Sequence, residues 1–464
     1  PLDHLDKANE GLAGVDHETT TVVVDRLGPN DDGFGHDLGE DQLDYGDLVA
    51  DHEGAEVEPV TRDAEDMLFL MYTSGTTGKP KGVKHTTGGY LSWVSWTSQS
   101  VLDIKPDDTY FCSADIGWIT GHSYIVYGPL SLGTTTMMYE GTPDHPERDR
   151  LWEIVEEYEA TQLYTAPTAI RAFMKWGAEY PDAHDLSSLR LLGTVGEPIN
   201  PRAWKWYYQH IGDEECPIVD TWWQTETGGM MVTTLPGVKD MKPGAAGPPL
   251  PGLDVQILDT LGDEVAPGKA GYLTVQKPWP GMLRTLYNND ERYIDEYWAE
   301  YSDTDSDDPE DWVYFPEDGA KIDEDGYITV LGRVDDVLNV SGHRLGTMEI
   351  ESAIVGVEGV AEAAVVGGDH DIKGEAVYAY VTTEDGYEGN DELRDAIVAG
   401  VEDAIGPIAR PEQVVFTPDL PKTRSGKIMR RLLENIADGK ELGNTSTLRN
   451  PEIVEEIQQK AAGE

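Results

Sequence analysis

Short apolar runs and helical apolar patterns alternate along most of the chain. Met67–Tyr72 is a continuous apolar run before a Ser/Gly/Thr-rich loop, which predicts a buried strand. Further elements predicted before residue 260 are a helix at Leu151–Glu159, a strand at Gln162–Tyr164, a helix at Thr168–Glu179 and a strand at Leu189–Thr194. This alternation predicts an α/β fold with a largely parallel sheet.

The pattern changes beyond this region. Between residues 245 and 330 Pro and Gly become denser and the strands shorten, as at Val255–Leu258 and Gly271–Val275, which predicts a β subdomain. We predict a large domain over 1–334, built from several subdomains with mostly parallel sheets, and a smaller mobile α+β domain over 335–464. In the smaller domain we expect helices at Met348–Ile354 and Asp391–Ala404, and strands at Ala363–Val366, Val377–Val381 and Gln413–Phe416.

Charge narrows the possible partners. Among 464 residues, 88 are acidic and 34 are Lys or Arg, which gives a formal net charge of −54. Such a surface repels nucleic acid, so we expect no nucleic-acid partner. The acidic residues are interspersed with Trp- and Tyr-rich segments, which argues against an acidic tail or a disordered chain. Molar salt shortens the Debye length to about 3 Å and would screen the repulsion, so we predict a halophilic protein.

Cysteine use and hydropathy indicate the compartment. Cys112 and Cys216 are far apart in sequence, which excludes a disulfide framework and favours a reducing, cytoplasmic location. No apolar run reaches the length of a membrane span, so we expect no membrane partner. The sequence begins at Pro1 with no leader, and we expect a chain that lacks its N-terminal portion.

The strongest local motif is Tyr72–Gly82, with the sequence YTSGTTGKPKG. Its glycines let backbone N–H groups approach an anion, its hydroxyls can donate to phosphate oxygens, and its lysines supply positive charge. It is not a Walker A loop, because two residues separate its glycines and Pro80 follows Lys79. The motif predicts a phosphate-binding loop.

This motif resembles the phosphate loop of the adenylate-forming superfamily, which includes the acyl-CoA synthetases. Three further motifs strengthen the resemblance, at 220–228 (DTWWQTETG), 332–336 (GRVDD) and 421–427 (PKTRSGK). The segments 115–124 (DIGWITGHSY) and 340–346 (VSGHRLG) narrow it to the acetyl-CoA synthetase branch. Family members carry a longer N-terminal portion, which supports the expectation of an N-terminally incomplete chain.

The resemblance implies a role for each motif residue. It implies ATP or AMP binding by Thr73, Ser74, Gly75, Thr76, Thr77, Gly78, Lys79, Gly196, Glu197, Pro198, Asp220, Thr221, Trp222, Gln224, Asp318, Arg333 and Arg344. Within this set, Asp318 and Arg333 would hold the ribose hydroxyls, and Arg344 would bind the phosphate that remains on AMP. Taken alone, the two arginines would be ordinary surface ion-pair residues.

Catalysis is assigned by the same resemblance. Lys427, Thr225 and Glu226 are the implied catalytic residues, and Glu226 would also hold Mg²⁺, which prefers carboxylate and phosphate oxygen. A Lys427 ammonium between acetate and the α-phosphate would offset the repulsion between two anions; the alternative is a solvated lysine on a basic tail. Asp335 is the implied hinge, about which the C-terminal domain swings between half-reactions.

Substrate and coenzyme contacts follow the same correspondence. The implied acyl pocket consists of Ile119, Thr120, Val195 and Trp223, and the Trp223 indole would leave room for one methyl group. Ala166, Ser341 and Gly342 are the implied coenzyme A contacts. In the family the catalytic lysine can be silenced by reversible acetylation, so a lysine acetyltransferase and a deacetylase acting on Lys427 are candidate partners.

The leading hypothesis is acetate–CoA ligation from acetate, ATP and coenzyme A. The sequence differs from the family's pattern at one position, and two alternative functions stay open. Where the family has a basic residue in the helix before Gly406, this chain has Glu402 and Asp403. An enzyme that adenylates propionate or another small acid is one alternative. A non-catalytic nucleotide-binding fragment is the other, and the intact Lys427 motif argues against it.

Overall fold

The computed structural model describes residues 4–26, 38–73, 80–334, 337–341, 343–370, 373–422, 428–442, 445 and 448–463. Residues 1–62 form one compact unit and residues 63–464 form another. No helix in the described ranges is long and apolar enough to cross a membrane.

Strands and helices alternate through both units. The strands are β1 Thr21–Val23, β2 Gln42–Asp44, β3 Met67–Thr73, β4 Lys81–Thr86, β5 Thr109–Cys112, β6 Thr135–Met137, β7 Gln162–Thr165, β8 Leu191–Val195, β9 Ile218–Thr221, β10 Val255–Leu258, β11 Ala270–Val275, β12 Thr285–Leu286, β13 Asp318–Ile322, β14 Ile328–Arg333, β15 Val337–Val340, β16 His343–Gly346, β17 Val360–His370, β18 Gly374–Thr383 and β19 Gln413–Phe416. The α-helices are α1 Leu5–Leu12, α2 Tyr45–Asp51, α3 Thr87–Ser100, α4 Ile119–Gly121, α5 Gly128–Ser131, α6 Arg150–Tyr158, α7 Pro167–Trp176, α8 Pro201–Trp206, α9 Asp290–Tyr297, α10 Thr347–Val355, α11 Asp391–Ala404, α12 Arg430–Ala437 and α13 Glu452–Gly463.

The first unit contains α1, α2 and a two-stranded parallel sheet of β1 and β2. The Asp44 carboxylate accepts a hydrogen bond from the Asp47 backbone N–H and so caps the start of α2. None of the residues of α1 or α2 is buried, as expected for a weakly periodic acidic segment.

A five-stranded parallel sheet lies at the centre of the second unit, with strand order β6-β5-β7-β8-β9. Every residue of β7, β8 and β9 is buried, because helices cover parallel strands on both faces. The core between sheet and helices includes Trp152 of α6, Phe173 of α7 and Trp204 of α8. The predicted α/β fold is confirmed, and the parallel sheet is one of three sheets within residues 63–334.

The other two sheets of this region are antiparallel, with orders β12-β4-β3 and β10-β11-β13-β14. The prediction of a strand at Met67–Tyr72 is confirmed as β3, but the prediction that it is buried is wrong at both ends. Met67 is 46% exposed and Tyr72 is 59% exposed. Among the described residues β3 is an edge strand, and its Met71 packs with Tyr90 and Val94 of α3.

The last sheet has the order β16-β15-β18-β17, with β19 parallel to β18. One face packs against α10 and α11 through Ile350, Ile354, Ile397 and Val401, and the other packs against α12 and α13. For brevity, residues 63–334 are called the large part and residues 337–463 the C-terminal part. The predicted division at 334/335 stays a prediction, because Asp335 and Asp336 lie outside the described residues.

Several predicted elements have different bounds in the structure. The helix predicted at Thr168–Glu179 ends at Trp176, because Gly177 has a φ of +115° that terminates α7. The strand predicted at Ala363–Val366 is the middle of β17, which pairs with β18 at Val360 and from Glu362 to His370. The acidic loop at 302–311 is exposed and closes with a short 3₁₀ turn at Pro309–Asp311.

Candidate active site

Three parallel strands end side by side, and each continues into a segment that the sequence singled out. β7 is followed by Ala166, β8 by Gly196 and β9 by Trp222. Gly196 has a φ of +98°, a conformation that favours glycine. Ligands of open α/β sheets bind in the crevice at the carboxyl ends of the strands. This edge is therefore the candidate active site.

A buried hydrogen-bond network joins the ends of the strands. Thr194 Oγ1 donates to Asp220 Oδ1 at 2.7 Å, and Thr221 Oγ1 donates to the Thr194 carbonyl at 2.8 Å. Because the Thr221 hydroxyl is already used as a donor, the Tyr164 hydroxyl donates to it at 2.6 Å. Burial raises the pKa of Asp220 to about 7, against the opposing effect of the Thr194 hydrogen bond.

The segment after β9 reaches across to Asp318, the first residue of β13. Trp222 Nε1 donates to Asp318 Oδ2 at 3.0 Å, and Gln224 Nε2 donates to the same oxygen at 2.9 Å. The Tyr314 hydroxyl donates to Gln224 Oε1 at 3.0 Å and orients the amide. Burial raises the pKa of Asp318 to about 6, and the nearby charge of Arg333 opposes the shift. Arg333 itself pairs with Glu317.

Glu226 lies in a buried charged cluster. The Tyr297 hydroxyl donates to Glu226 Oε1 at 2.8 Å, and Lys81 Nζ lies 3.9 Å from the same oxygen. Lys81 also pairs with Glu296 at 2.9 Å and stands 4.8 Å from the centre of the Tyr297 ring. A lysine at the end of the phosphate-loop motif is thus held beside the predicted metal ligand.

The residues around Glu226 fit a magnesium ion that is shared with phosphate. Mg²⁺ usually binds one or two carboxylates together with phosphate oxygens and water, and Glu226 offers one such carboxylate at the edge of the sheet. Its neighbour Thr225 is fixed through its carbonyl, to which His85 Nε2 donates at 2.7 Å. Burial lowers the pKa of His85 to about 4, so the ring is neutral and carries its proton on Nε2.

Thr73 is the last described residue before the predicted phosphate-loop residues 74–79. Its Oγ1 is buried and has no hydrogen-bond partner within the described ranges. A buried hydroxyl without a partner costs free energy, which binding of an anion would offset. The Thr73 hydroxyl therefore fits the predicted phosphate contact.

The predicted acyl-pocket residues gather around Trp223. This indole packs against the apolar cluster that contains Ile119 and against the one that contains Val195. Its ring meets Tyr124 edge-on at 5.0 Å, and its Nε1 donates to the Tyr164 hydroxyl at 3.3 Å. Thr120 follows Ile119 in α4. The indole is held from two sides, as the wall of a fixed pocket would be.

Glu197 connects the site to the C-terminal part. Arg171 of α7 pairs with Glu197 at 2.8 Å and lies 3.9 Å from Glu362 of β17, which pairs with Lys422 at 2.7 Å. Burial raises the pKa of Glu197, but Arg171 and the Thr168 hydroxyl outweigh it and hold that pKa below its usual value. Lys422 is the last described residue before the 423–427 loop.

A cavity of about 1120 Å³ opens between the two parts. Glu197 and Pro198 line it from the large part, and Ile428 and Arg430 line it from the C-terminal part. Lys422 and Ile428, the residues that flank the 423–427 loop, form a β-bridge. Ile428, the first described residue after the predicted Lys427, therefore borders the same cavity as Glu197 and Pro198.

Several predicted site residues cannot be placed. Those outside the described residues are Ser74, Gly75, Thr76, Thr77, Gly78, Lys79, Asp335, Gly342 and Lys427. Arg344 belongs to β16, but its side chain is outside the described portion. Of the remaining coenzyme A candidates, Ala166 is the N-cap residue of α7, and Ser341 is exposed with a φ of +51°.

The structure adds contacts that the sequence did not predict. Lys81 and Tyr297 contact Glu226, Tyr314 orients Gln224, and Arg171 holds Glu197. Lys81 was visible inside the phosphate-loop motif. Tyr297 and Tyr314 had no local signal, because each meets its partner through a contact that spans 71 or 90 residues of sequence.

Comparison with known proteins agrees with this geometry. The family model described as AMP-binding enzyme matches residues 2–287, and the one described as AMP-binding enzyme C-terminal domain matches residues 349–427. The acetyl-coenzyme A synthetase of Gemmatimonas aurantiaca is 59% identical over 397 residues, which cover 86% of this chain and 60% of that protein. The acetyl-coenzyme A synthetase of Rubrobacter xylanophilus is 57% identical over 401 residues, which cover 86% of this chain and 61% of that protein.

Solved structures show the same fold. A structure of the anthranilate CoA ligase AuaEII in complex with anthranoyl-AMP matches with a TM-score of 0.72 and 25% identity, over 82% of this chain and 70% of that chain. The acetoacetyl-CoA synthetase from Streptomyces lividans matches with a TM-score of 0.81 and 24% identity, over 99% of this chain and 68% of that chain. The chain spans about 60% of the length of the curated relatives described above. By the match of residues 2–287, together with the site at the strand ends, the chain belongs to the AMP-binding enzyme family.

Proposed function

We propose that the protein is an AMP-forming acetate–CoA ligase. In the first half-reaction an acetate oxygen attacks the α-phosphorus of ATP, the bond to the β-phosphate breaks, and acetyl-AMP and pyrophosphate form. In the second, the thiol of coenzyme A loses its proton, its sulfur attacks the acetyl carbonyl, and AMP leaves. The similarity to acetyl-coenzyme A synthetases at 52–59% identity supports acetate as the acid.

One observation carries this proposal: Trp222 and Gln224 both donate to Asp318 at the carboxyl edge of the parallel sheet. The bonds bring the predicted adenine segment and the predicted ribose carboxylate to one place, although 94 residues separate Gln224 from Asp318. A carboxylate is a good acceptor for the two hydroxyls of a ribose. The arrangement supports binding of a nucleotide across this edge.

The remaining roles are proposed on the same basis. Gly196 and Pro198 line the adenine, Thr73 and Thr225 contact phosphate, and Arg344 binds the phosphate that stays on AMP. Glu226 holds Mg²⁺, which offsets phosphate charge, and Lys81 adds positive charge beside it. Lys427 acts at the α-phosphate in the first half-reaction, where its ammonium offsets the repulsion between two anions.

For the second half-reaction we propose that coenzyme A enters past Ala166, Ser341 and Gly342, after rotation about Asp335. Glu402, in the last turn of α11, pairs with Arg410 at 3.6 Å. This leaves the 3′-phosphate of coenzyme A without the basic contact that the family offers at this position. A cytoplasmic location, and lysine acetyltransferase and deacetylase partners that act on Lys427, remain predictions.

Exchange of labelled pyrophosphate into ATP, measured in molar KCl with and without acetate, tests the proposal. We expect exchange that depends on acetate, is weaker with propionate and is weakest with butyrate, followed by acetyl-CoA formation when coenzyme A is added. AMP binding without acid-dependent exchange would instead show a nucleotide-binding module. Exchange that favours butyrate over acetate would contradict the small pocket around Trp223.

A further inference from the structure

The ion pairs across the contact between the large part and the C-terminal part share one polarity. Four ion pairs between described residues cross it, and each takes its cation from the large part and its carboxylate from the C-terminal part. They are Arg148–Asp385, Arg171–Glu362, Arg202–Glu384 and Lys321–Glu349. These four pairs hold carboxylates of the C-terminal part against cations of the large part, in a chain whose net charge is −54.

Arg202 makes the most extensive of these contacts. Its Nη1 donates to the carbonyls of Val355, Val357 and Val360 at 3.2, 3.3 and 3.0 Å, and its Nη2 donates to Glu384 at 2.6 Å. Val355 is the last residue of α10, so the guanidinium supplies donors and positive charge at the negative end of a helix. Lysine could not reproduce a fork of donors that meets four acceptors.

The Arg171–Glu362 contact is looser. Its 3.9 Å separation exceeds a hydrogen bond, and both Arg171 Nε and Glu362 Oε1 are buried without a partner in the described ranges. Each residue also has a partner on its own side, Glu197 for Arg171 and Lys422 for Glu362. Separating the two parts would therefore leave neither charge bare, which keeps the cost of separation low.

We propose that Arg202 anchors a reversible electrostatic docking of the C-terminal part onto the large part. Arg202 is the second residue of α8, and α8 begins three residues after Pro198. The anchor thus fixes the C-terminal part, including Lys422 and Ile428, relative to the nucleotide segment. Arg202 is a positioning residue, and its effect on the two half-reactions rests on the proposed function.

The yield of a zero-length carbodiimide crosslink between the two parts measures the docked fraction without substrate. Lys321 Nζ and Glu349 Oε1 are 3.1 Å apart across the contact, and the Lys242–Asp323 ion pair within the large part is the internal reference. The variants are Arg202→Ala and Glu384→Gln. Lys205→Ala is the matched control, because Lys205 is a cation of the same helix and lines the same cavity.

We expect Arg202→Ala to lower the Lys321–Glu349 crosslink relative to the reference. If losing the charged hydrogen bonds costs a factor of about ten in docking, a docked fraction of about nine-tenths falls to about one-half. Glu384→Gln should lower the crosslink less, because the three carbonyl bonds remain, and Lys205→Ala should leave it unchanged. If Arg202→Ala also lowers the reference crosslink because the protein misfolds, the Lys321–Glu349 crosslink in Glu384→Gln tests the proposal instead.

Two results would overturn the anchor. One is an unchanged Lys321–Glu349 crosslink in Arg202→Ala with an intact reference. The other is an equal loss of pyrophosphate exchange and of acetyl transfer from acetyl-AMP. If Arg202 stabilises one arrangement of the two parts, Arg202→Ala must change the ratio of the rates of these two half-reactions. If the ligase assays fail in the unmodified protein while the crosslink still responds to Arg202→Ala, docking stands and the proposed function falls.

Discussion

Replacing Asp318 with Asn separates two effects of the buried carboxylate, which lowers the folding stability and contributes to AMP binding. Burial raises the pKa of Asp318 to about 6 from an ordinary value of 3.8. The folded protein therefore holds this proton more tightly than the unfolded chain does. The resulting stabilisation is complete below pH 4 and is lost as the pH rises through about 6.

The size of both effects follows from that pKa. A shift of about two units corresponds to about 3 kcal/mol of folding free energy lost by pH 8. Asn carries no charge to desolvate and keeps one carbonyl oxygen for the donors of Trp222 and Gln224, so Asp318→Asn should be the more stable protein at pH 8. AMP affinity should depend on pH in the opposite direction. Between pH 7 and pH 5 the ionised fraction of Asp318 falls about tenfold, and AMP affinity should fall with it.

Calorimetric titration of AMP between pH 5 and pH 8, with thermal unfolding at the same pH values, checks both signs. The phosphate of AMP also titrates near pH 6, and Asp318→Asn isolates that contribution because it lacks the carboxyl. We expect weaker binding and a flatter pH profile in the variant, together with a higher melting temperature at pH 8. Identical pH profiles in the two proteins would show that ionisation of Asp318 does not control AMP binding. A less stable variant at pH 8 would show that burial of the Asp318 carboxylate does not destabilise the fold.

Three further predictions follow from the site and the charge. Trp223→Ala should raise kcat/KM for propionate relative to acetate by about 10- to 100-fold, since the one added methylene in such a pocket is worth about 1–3 kcal/mol; an unchanged ratio would show that Trp223 is not the wall. Glu226→Gln should lower pyrophosphate exchange by about 10- to 100-fold and raise the Mg²⁺ needed for half-maximal rate, whereas an unaltered Mg²⁺ titration would remove Glu226 as a ligand. Raising KCl from 0.1 M to 2 M should raise the melting temperature, because screening shortens the Debye length from about 10 Å to below about 3 Å; a melting temperature that falls with KCl would contradict a fold limited by self-repulsion.

Local signals determined how much of the fold was predictable. The helix Asp391–Ala404 has the predicted bounds, since Asn390 caps its start by accepting from the Leu393 N–H. Helix α3 at Thr87–Ser100 was missed, because it mixes Gly, Ser and Thr with aromatic residues and has no single apolar face. β17 was predicted too short, because Glu362 interrupts its apolar run; the Glu362 carboxylate pairs with Lys422 and lies 3.9 Å from Arg171.

The same contrast holds in the site. Motif residues with a local pattern, such as Gly196 and Trp222, lie at the strand ends, where parallel strands bring distant segments together. The roles of residues that act through long-range ion pairs could not be predicted from the sequence. Arg171 and Arg202 lie in ordinary helical sequence, and only the packing of the C-terminal part against α7 and α8 shows what they hold.

We propose that the C-terminal ammonium of Lys427 serves adenylation and not acyl transfer. Lys427→Ala tests it when both half-reactions are measured in one preparation, with Lys440→Ala as a control at an exposed lysine of the same part. We expect loss of acetate-dependent pyrophosphate exchange in Lys427→Ala, with acetyl-CoA still formed from supplied acetyl-AMP at close to the rate of the unmodified protein. Exchange at the unmodified rate, or equal loss of both reactions in a folded protein, would contradict it.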